Sequence, residues 1–381
     1  WLGQHGNHPN SLLKNNGDGT FRNVINEQLK HITNLSMGSD TGDVNNDGLM
    51  DLITTDMTPE DHYRSKTNMA SMSTENFNAL VDAGAHHQYM ANALQINTGQ
   101  GSFSDVANMA GISNTDWSWA SLLVDLDNDG WKDIVVSNGI KKDVDNNDYR
   151  IILNNLDKKN TSADELYQLS KNTPSQPISN YAFKNKGNLQ FEKVTKEWGF
   201  DSPSFSNGMA YGDLDNDGDL DLVTNNIDAP AFIHENKATG NFLKIKLEGS
   251  ERNRFGYGAK AVIHHNGKIQ VVENSVTRGY LSSVETGLFF GLGNDIKVDK
   301  IEVTWQDGKS NTFKNIEANT TLVASYEKAS SIVQKTEELK TLVTQVRASS
   351  IGLDFVHKEN EYDDFKDEIL LPHKLSINGP F

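Results

Sequence analysis

Three stretches of this chain, 12–52, 94–134 and 182–222, align without a gap over their informative positions, and no other feature narrows the fold as far. Each opens on an asparagine (Asn15, Asn97, Asn185), with Phe six residues on (Phe21, Phe103, Phe191) and Val three beyond that (Val24, Val106, Val194). Ser follows at a constant offset (Ser36, Ser118, Ser206), and an Asp stands 28 residues after each Asn (Asp43, Asp125, Asp213). The period is 82 and then 88 residues, and the difference falls in the connecting segments. A repeat of this length is one supersecondary unit that buries its apolar face against its neighbours.

Within a unit the pattern reads strand, Gly-rich turn, strand, variable loop, strand, Asp-rich loop, strand. Asn15-Asn16-Gly17-Asp18-Gly19 is a turn signal. The runs Leu52–Thr55, Ile134–Ser137 and Leu222–Asn225 are short and β-branched, as strands are. Four strands per unit predict the blade of an all-β propeller, with the Asp loop between the last two strands of each blade. Three such blades fall short of the 4–8 that close a ring, so an incomplete ring or fragment is expected. Two inserts read as helical: Thr58-Pro59-Glu60-Asp61 opens one, with Thr58 as cap and Pro59 in the first turn, and Ser162-Ala163-Asp164-Glu165 is a capping box for the other.

The Asp loops are 43–51, 125–133 and 213–221, and each spells D-x-[DN]-x-D-G-x-x-D. Side-chain oxygens at positions one, three, five and nine converge on one hard cation in this pattern. They come from Asp43, Asn45, Asp47 and Asp51; from Asp125, Asp127, Asp129 and Asp133; and from Asp213, Asp215, Asp217 and Asp221. Position seven (Leu49, Trp131, Asp219) adds a backbone carbonyl, and Gly at position six allows the sharp turn. Six or seven oxygens in a flexible loop suit Ca²⁺ ahead of Mg²⁺, and zinc would want His or Cys. About three calcium sites are therefore expected. An EF-hand is excluded, because its Glu at position twelve is here Thr54, Val136 or Thr224. The plainer reading, three solvated turns, is opposed by three copies at fixed offsets. The looser acidic run 143–148 reads as an ordinary loop.

The Asn-x-Gly-x-x-x-Phe turn joined to this Asp loop resembles the FG-GAP/VCBS repeats of integrin α-subunit propellers. The arrangement is most similar to the cartilage acidic protein family and its bacterial surface relatives. The following segment resembles the ASPIC/UnbV domain in Asn253-Arg254-Phe255-Gly256-Tyr257-Gly258-Ala259, Arg278-Gly279-Tyr280-Leu281-Ser282, Phe290-Gly291-Leu292-Gly293 and Val303-Thr304-Trp305-Gln306-Asp307-Gly308. Alternation of Leu243, Ile245 and Leu247 with Phe242, Lys244 and Lys246, and of Ile301, Val303 and Trp305 with polar neighbours, predicts a small β-sandwich there. The expected organisation is a propeller segment over 1–235, a sandwich over 236–328, and a linker with the opening of a further unit over 329–381. Gln334–Val346 also fits helical spacing. Both ends read as interior to a longer protein.

A net charge of −17 argues against a nucleic-acid partner, which needs a basic face. No run reaches the ~18 apolar residues of a membrane span. There is no Cys. Catalytic signatures of zincins, α/β-hydrolases and P-loops are missing, and Gly256–Ala261 fits a dinucleotide fingerprint without its βα setting. The pairs His86-His87 and His264-His265 read as surface or satisfied histidines, and Trp117 and Trp119 as blade packing or, second, a glycan contact beside the second loop. The expected function is a non-catalytic, calcium-binding module at the cell surface or outside the cell, for adhesion or recognition of a protein or glycan. The alternatives are an accessory part of a polysaccharide-processing hydrolase and a structural spacer.

Overall fold

The computed structural model describes residues 10–68, 74–156, 161–331, 346–353 and 355. Three antiparallel sheets follow one another along the chain. The first runs Ser39–Gly42, Asp51–Thr54, Ala93–Asn97, Phe103–Asp105. The second runs Asp116–Val124, Asp133–Asn138, Tyr181–Asn185, Phe191–Lys193, with Met57–Thr58 added beside its first strand. The third is Ser206–Gly212, Asp221–Asn226, Phe232–His234. Ahead of them the hairpin Leu13–Asn15 and Phe21–Asn23 pairs by itself. These are the propeller blades that the repeat predicts.

Units and sheets are out of phase. Each Asp loop joins the first two strands of a blade, not the last two; in the first two blades the third and fourth strands come from the following unit, and in the third blade Phe232–His234 adds a third strand. Strand content within a unit is the same whichever hairpins are grouped. Only long-range pairing, such as Ile53 with Leu94 and Val135 with Ala182, fixes the grouping.

Apolar side chains fill the spaces between blades. Ile53, Leu94, Leu123, Ile134 and Phe183 form one cluster, and Leu122, Val135, Ala182, Met209 and Leu222 the next. Full burial of each large side chain contributes about 1.5–3 kcal/mol. The first strands of the blades meet so closely that a Cβ on Gly38 would lie 2.1 Å from the Trp119 carbonyl oxygen. The far face of the third blade is open among the described residues. Leu214 is 59% exposed where the matching Val44 and Leu126 are 0% and 7%.

Beyond the blades a sandwich forms. One sheet is Leu288–Gly293, Asn241–Glu248, Thr320–Ser325, the last two strands parallel. The other is Lys268–Glu273, Lys260–His265, Lys297–Thr304, Lys309–Glu317, Ser330–Ser331. The expected alternation holds: Leu243, Ile245 and Leu247, with Phe290 beside them in the same sheet, meet Ile263, Ile301, Val303 and Trp305 in a common core. This sandwich packs on the Asp-loop end of the blades. Ile269 meets Gly48, Gln270 meets Gly130, and Phe242 lies against Gly218. From it the hairpin Thr277–Arg278 and Ser282–Ser283 runs along the inner strands. Gly279 bridges to Ser39, Arg278 binds Asp40 at 2.8 Å, and Tyr280 packs on Trp119.

Helical inserts occupy the opposite end, where second strands lead to third strands. The first blade carries His62–Thr67 and Thr74–Asp82, the second Asn147–Asn154 and Ala163–Lys171. The Ser162–Glu165 capping box forms as expected. The first insert starts later than its sequence suggests: Asp61 is the cap, and Thr58 pairs with Asp116 instead. The run 143–148 is not a plain loop either. Asn146 caps a helix, and Asp143 is buried against Arg64, which also binds Asp116 at 2.7 Å. One guanidinium thus pins both inserts to the second blade. The expected opening of a further unit and the helical alternative over 334–346 lie mainly outside the described residues.

Candidate metal centre

The three Asp loops share one geometry. Position four is in the left-handed region in each (Asn46, Asn128, Asn216, φ 54°, 57° and 62°), as is the glycine at position six (φ 89°, 91° and 96°). Asn tolerates that region and Gly occupies it without strain. The first carboxylate accepts from the backbone ahead of it. Asp43 takes Asp47 N–H and Gly48 N–H at 3.1 and 2.8 Å, and Asp125 takes Asp129 and Gly130 at 3.1 and 2.9 Å. Asp213 takes Gly218 N–H at 3.4 Å.

Position nine closes the loop by a rule repeated in every copy. Asp51 accepts Val44 N–H and Asn97 N–H, both at 2.9 Å. Asp133 accepts Leu126 and Asn185 at 3.0 and 2.9 Å, and Asp221 accepts Leu214 and Asn236, both at 2.9 Å. The unit asparagine then binds the position-eight carbonyl: Asn97 to Met50, Asn185 to Lys132, Asn236 to Leu220. Asn185 and Asn236 also reach the position-two carbonyl of the preceding loop, Val44 and Leu126. Loops connect directly as well, Asn46 to Gly130 and Asn128 to Gly218. The asparagines were visible as repeat markers. Their clamping role, and Asn236 as a further copy, were not, because both depend on which strand lies beside the loop.

Oxygens of Asp125, Asp127 and Asp133 lie within 4.8 Å of one another, as do those of Asp213, Asp215 and Asp217. Among the described residues these are the clusters of three or more acidic, His or Cys ligands; the first loop is not among them, and it offers the Asn45 amide in place of a third clustered acid. At position five, Asp47, Asp129 and Asp217 accept the N–H of Leu49, Trp131 and Asp219 at 2.8, 2.9 and 3.2 Å.

Charge in these loops is costly without a counter-ion. Burial pushes Asp51 and Asp125 each up to about 7, Asp219 up to about 6, and Asp133 well above the carboxylate range. Asp219 keeps a buried oxygen with no hydrogen-bond partner. Two loops draw lysines instead. Lys184 binds Asp127 and, at 3.1 Å, Asp129, while Lys244 lies 3.3 Å from Asp213 and 2.9 Å from Glu285. Hard oxygens, no nitrogen or sulfur, and destabilised carboxylates make a donor set that fits a divalent cation of the calcium type.

The raised values carry a pH consequence. The folded chain holds protons on these carboxyls that the unfolded chain releases near pH 4. Metal-free stability therefore falls as pH rises from about 4 towards 7. In chelator, the melting midpoint is expected to be higher at pH 5.5 than at pH 8. A midpoint that is flat or rises over this interval would refute that account.

His265 is buried and satisfied by Asp295 at 2.8 Å and Gln270 at 3.0 Å. His86 and His87 are in edge contact with each other. Trp119 gives its indole N–H to the Gly139 carbonyl at 2.6 Å, so it packs the blade. Trp117 and Trp119 stand near the start of Asp116–Val124, whereas the second Asp loop follows its end, so they are not beside that loop. No described helix is long and apolar enough to cross a membrane.

Residues 1–54, 80–136 and 145–224 match the model of the FG-GAP-like repeat, and residues 249–331 match that of ASPIC and UnbV. The chain is 23% identical over 346 residues to cartilage acidic protein 1 of Xenopus tropicalis, covering 88% of this chain and 44% of the relative. It is 24% identical over 320 residues to the Homo sapiens protein (80% and 38%) and 24% over 299 residues to that of Mus musculus (65% and 43%). It thus spans less than half the length of the curated relatives it matches.

Proposed function

The chain belongs to the FG-GAP-like repeat family, and from that premise we propose that its Asp loops bind calcium and that it serves as a non-catalytic recognition or adhesion module outside the cell. The observation that carries the calcium reading is the paired set Asp125, Asp127, Asp133 and Asp213, Asp215, Asp217, each closing to within 4.8 Å, the first of them in a loop whose burial penalises bare carboxylates. Asp43, Asn45, Asp47 and Asp51 form the third member, with the carbonyls of Leu49, Trp131 and Asp219 completing the loops. Asp129 and Asp221 fill positions five and nine of their sites. Calcium would supply a hard positive centre that removes the repulsion among these oxygens.

The position of the loops supports a mechanical role for the ion. They lie between the blades and the sandwich, and they are hydrogen-bonded to one another through Asn46 and Asn128. Calcium thus stiffens the joint between the segments 1–235 and 236–328. With the sandwich on that end, the helical-insert end is left for a protein or glycan partner. It exposes Tyr63, Ile151, Leu166 and Tyr167. Weak sites suffice outside cells, where calcium is plentiful.

Calorimetric titration with calcium is the direct test. Two to three ions per chain are expected, with one lost in Asp125→Asn and one in Asp213→Asn. Heats indistinguishable from buffer would end the calcium reading.

A further inference from the structure

The third strand of every blade passes its Asp loop in the same register. Leu52 pairs with Gln95, Ile134 with Phe183, and Leu222 with His234. The residue that follows therefore holds one structural position, and it is Ile96, Lys184 and, just past the end of its strand, Glu235. A hydrophobe, a cation and an anion stand at equivalent points beside three nearly identical loops. Only the middle one reaches in: the Lys184 ammonium binds Asp127 at position three and lies 3.1 Å from Asp129 at position five. Among the described residues, Asp43, Asp47 and Asp51 of the first loop form no ion pair with Lys or Arg, and in the third loop Lys244 touches Asp213 but divides its charge with Glu285.

We propose that Lys184 is an affinity-setting residue, a tethered cation that holds the second loop in its closed form and must be displaced before a divalent ion enters, so that the second loop fills last. This rests on the calcium reading above. The lysine has room to leave, since it and Asp129 are 26% and 30% exposed. Its flexible stem allows it to turn outward to water. Its presence costs the incoming ion twice: the existing ion pair is broken, and a positive charge stays nearby. Because the pair is partly exposed and screened by water, removal of the cation is expected to tighten the second loop by about tenfold.

Trp131 makes this loop separately readable. It stands at position seven, where the other loops have Leu49 and Asp219, so terbium in the second loop is excited through its indole. Terbium titrations of the whole chain, followed by tryptophan-sensitised emission, are expected to shift about tenfold to lower concentration in Lys184→Met and to stay near wild type in Lys184→Arg. Emission should vanish in Trp131→Phe, which assigns it to this loop. Glu235→Lys, an exposed change, provides the reciprocal case: calorimetry should show the third loop weakened. If wild type shows sensitised emission and Lys184→Met superimposes on it, the role of Lys184 is refuted while calcium binding stands. If no variant shows metal-dependent emission or heat, the calcium reading falls and the proposal with it.

Discussion

Stripping divalent ions from this chain should lower its melting midpoint by about 10 °C. The estimate follows from linkage. A site held at a hundred times its Kd contributes about 2.7 kcal/mol, and each kcal/mol moves a unit of this size by about 1.5 °C. Two or three loops filled together therefore give a shift well outside the noise of calorimetry. Structure adds cooperativity, because Asn46 and Asn128 tie each loop to the next and position nine in every loop holds a strand of its own blade. Loosening one loop should loosen its neighbour and the sandwich packed above them. Magnesium should restore less of the loss than calcium, since it demands stricter geometry and keeps its waters. Melting curves that coincide in chelator and in millimolar calcium would contradict this expectation.

Arg278→Ala is expected to destabilise the fold by about 3–5 kcal/mol, the usual cost of leaving a buried charge unpaired. Its guanidinium is buried and donates to Asp40 Oδ1 at 2.8 Å and to the Thr41 carbonyl at 2.9 Å. Asp40 is buried on the innermost strand of the first blade and also accepts Leu123 N–H at 2.8 Å. Burial pushes Asp40 up, with Arg278 the strongest opposing influence, so losing the arginine leaves that carboxyl favouring its protonated form. The pair joins residues 238 positions apart and anchors the sandwich hairpin among the blades. Chemical denaturation is the appropriate measurement, with limited proteolysis between the third blade and the sandwich as a second readout. Asp40→Leu combined with Arg278→Met should recover much of the loss, because removing both charges leaves neither unpaired. An Arg278→Ala variant within about 0.5 kcal/mol of wild type would show that the hairpin is held by apolar packing and the Gly279–Ser39 backbone bridge without the ion pair.

Much of this architecture is legible in the sequence because it is local. The Asp loops are nine-residue objects whose turn geometry follows from Asn at position four and Gly at position six. The sandwich strands announce themselves by alternation at Leu243, Ile245 and Leu247. What escaped is non-local. The grouping of strands into blades depends on pairings such as Ile53 with Leu94, and the docking of the hairpin depends on Arg278 finding Asp40. Thr58 illustrates the same limit. It has the look of a helix cap, yet its backbone pairs with Asp116 and the capping falls to Asp61. Lys184 is ordinary until the register of its strand sets it over another residue's carboxylate.

The half-blade offset between repeat and sheet bears on how such chains change length. The first two blades are each stitched from two successive units, so the join between units falls in the middle of a blade, where the second strand pairs with the third. Duplicating or deleting one period of 82 or 88 residues would then add or remove a whole blade. The severed halves meet partners of the same register, and no strand is left with a raw edge. The number of repeats in such a chain changes by whole blades, with each new seam lying inside a sheet.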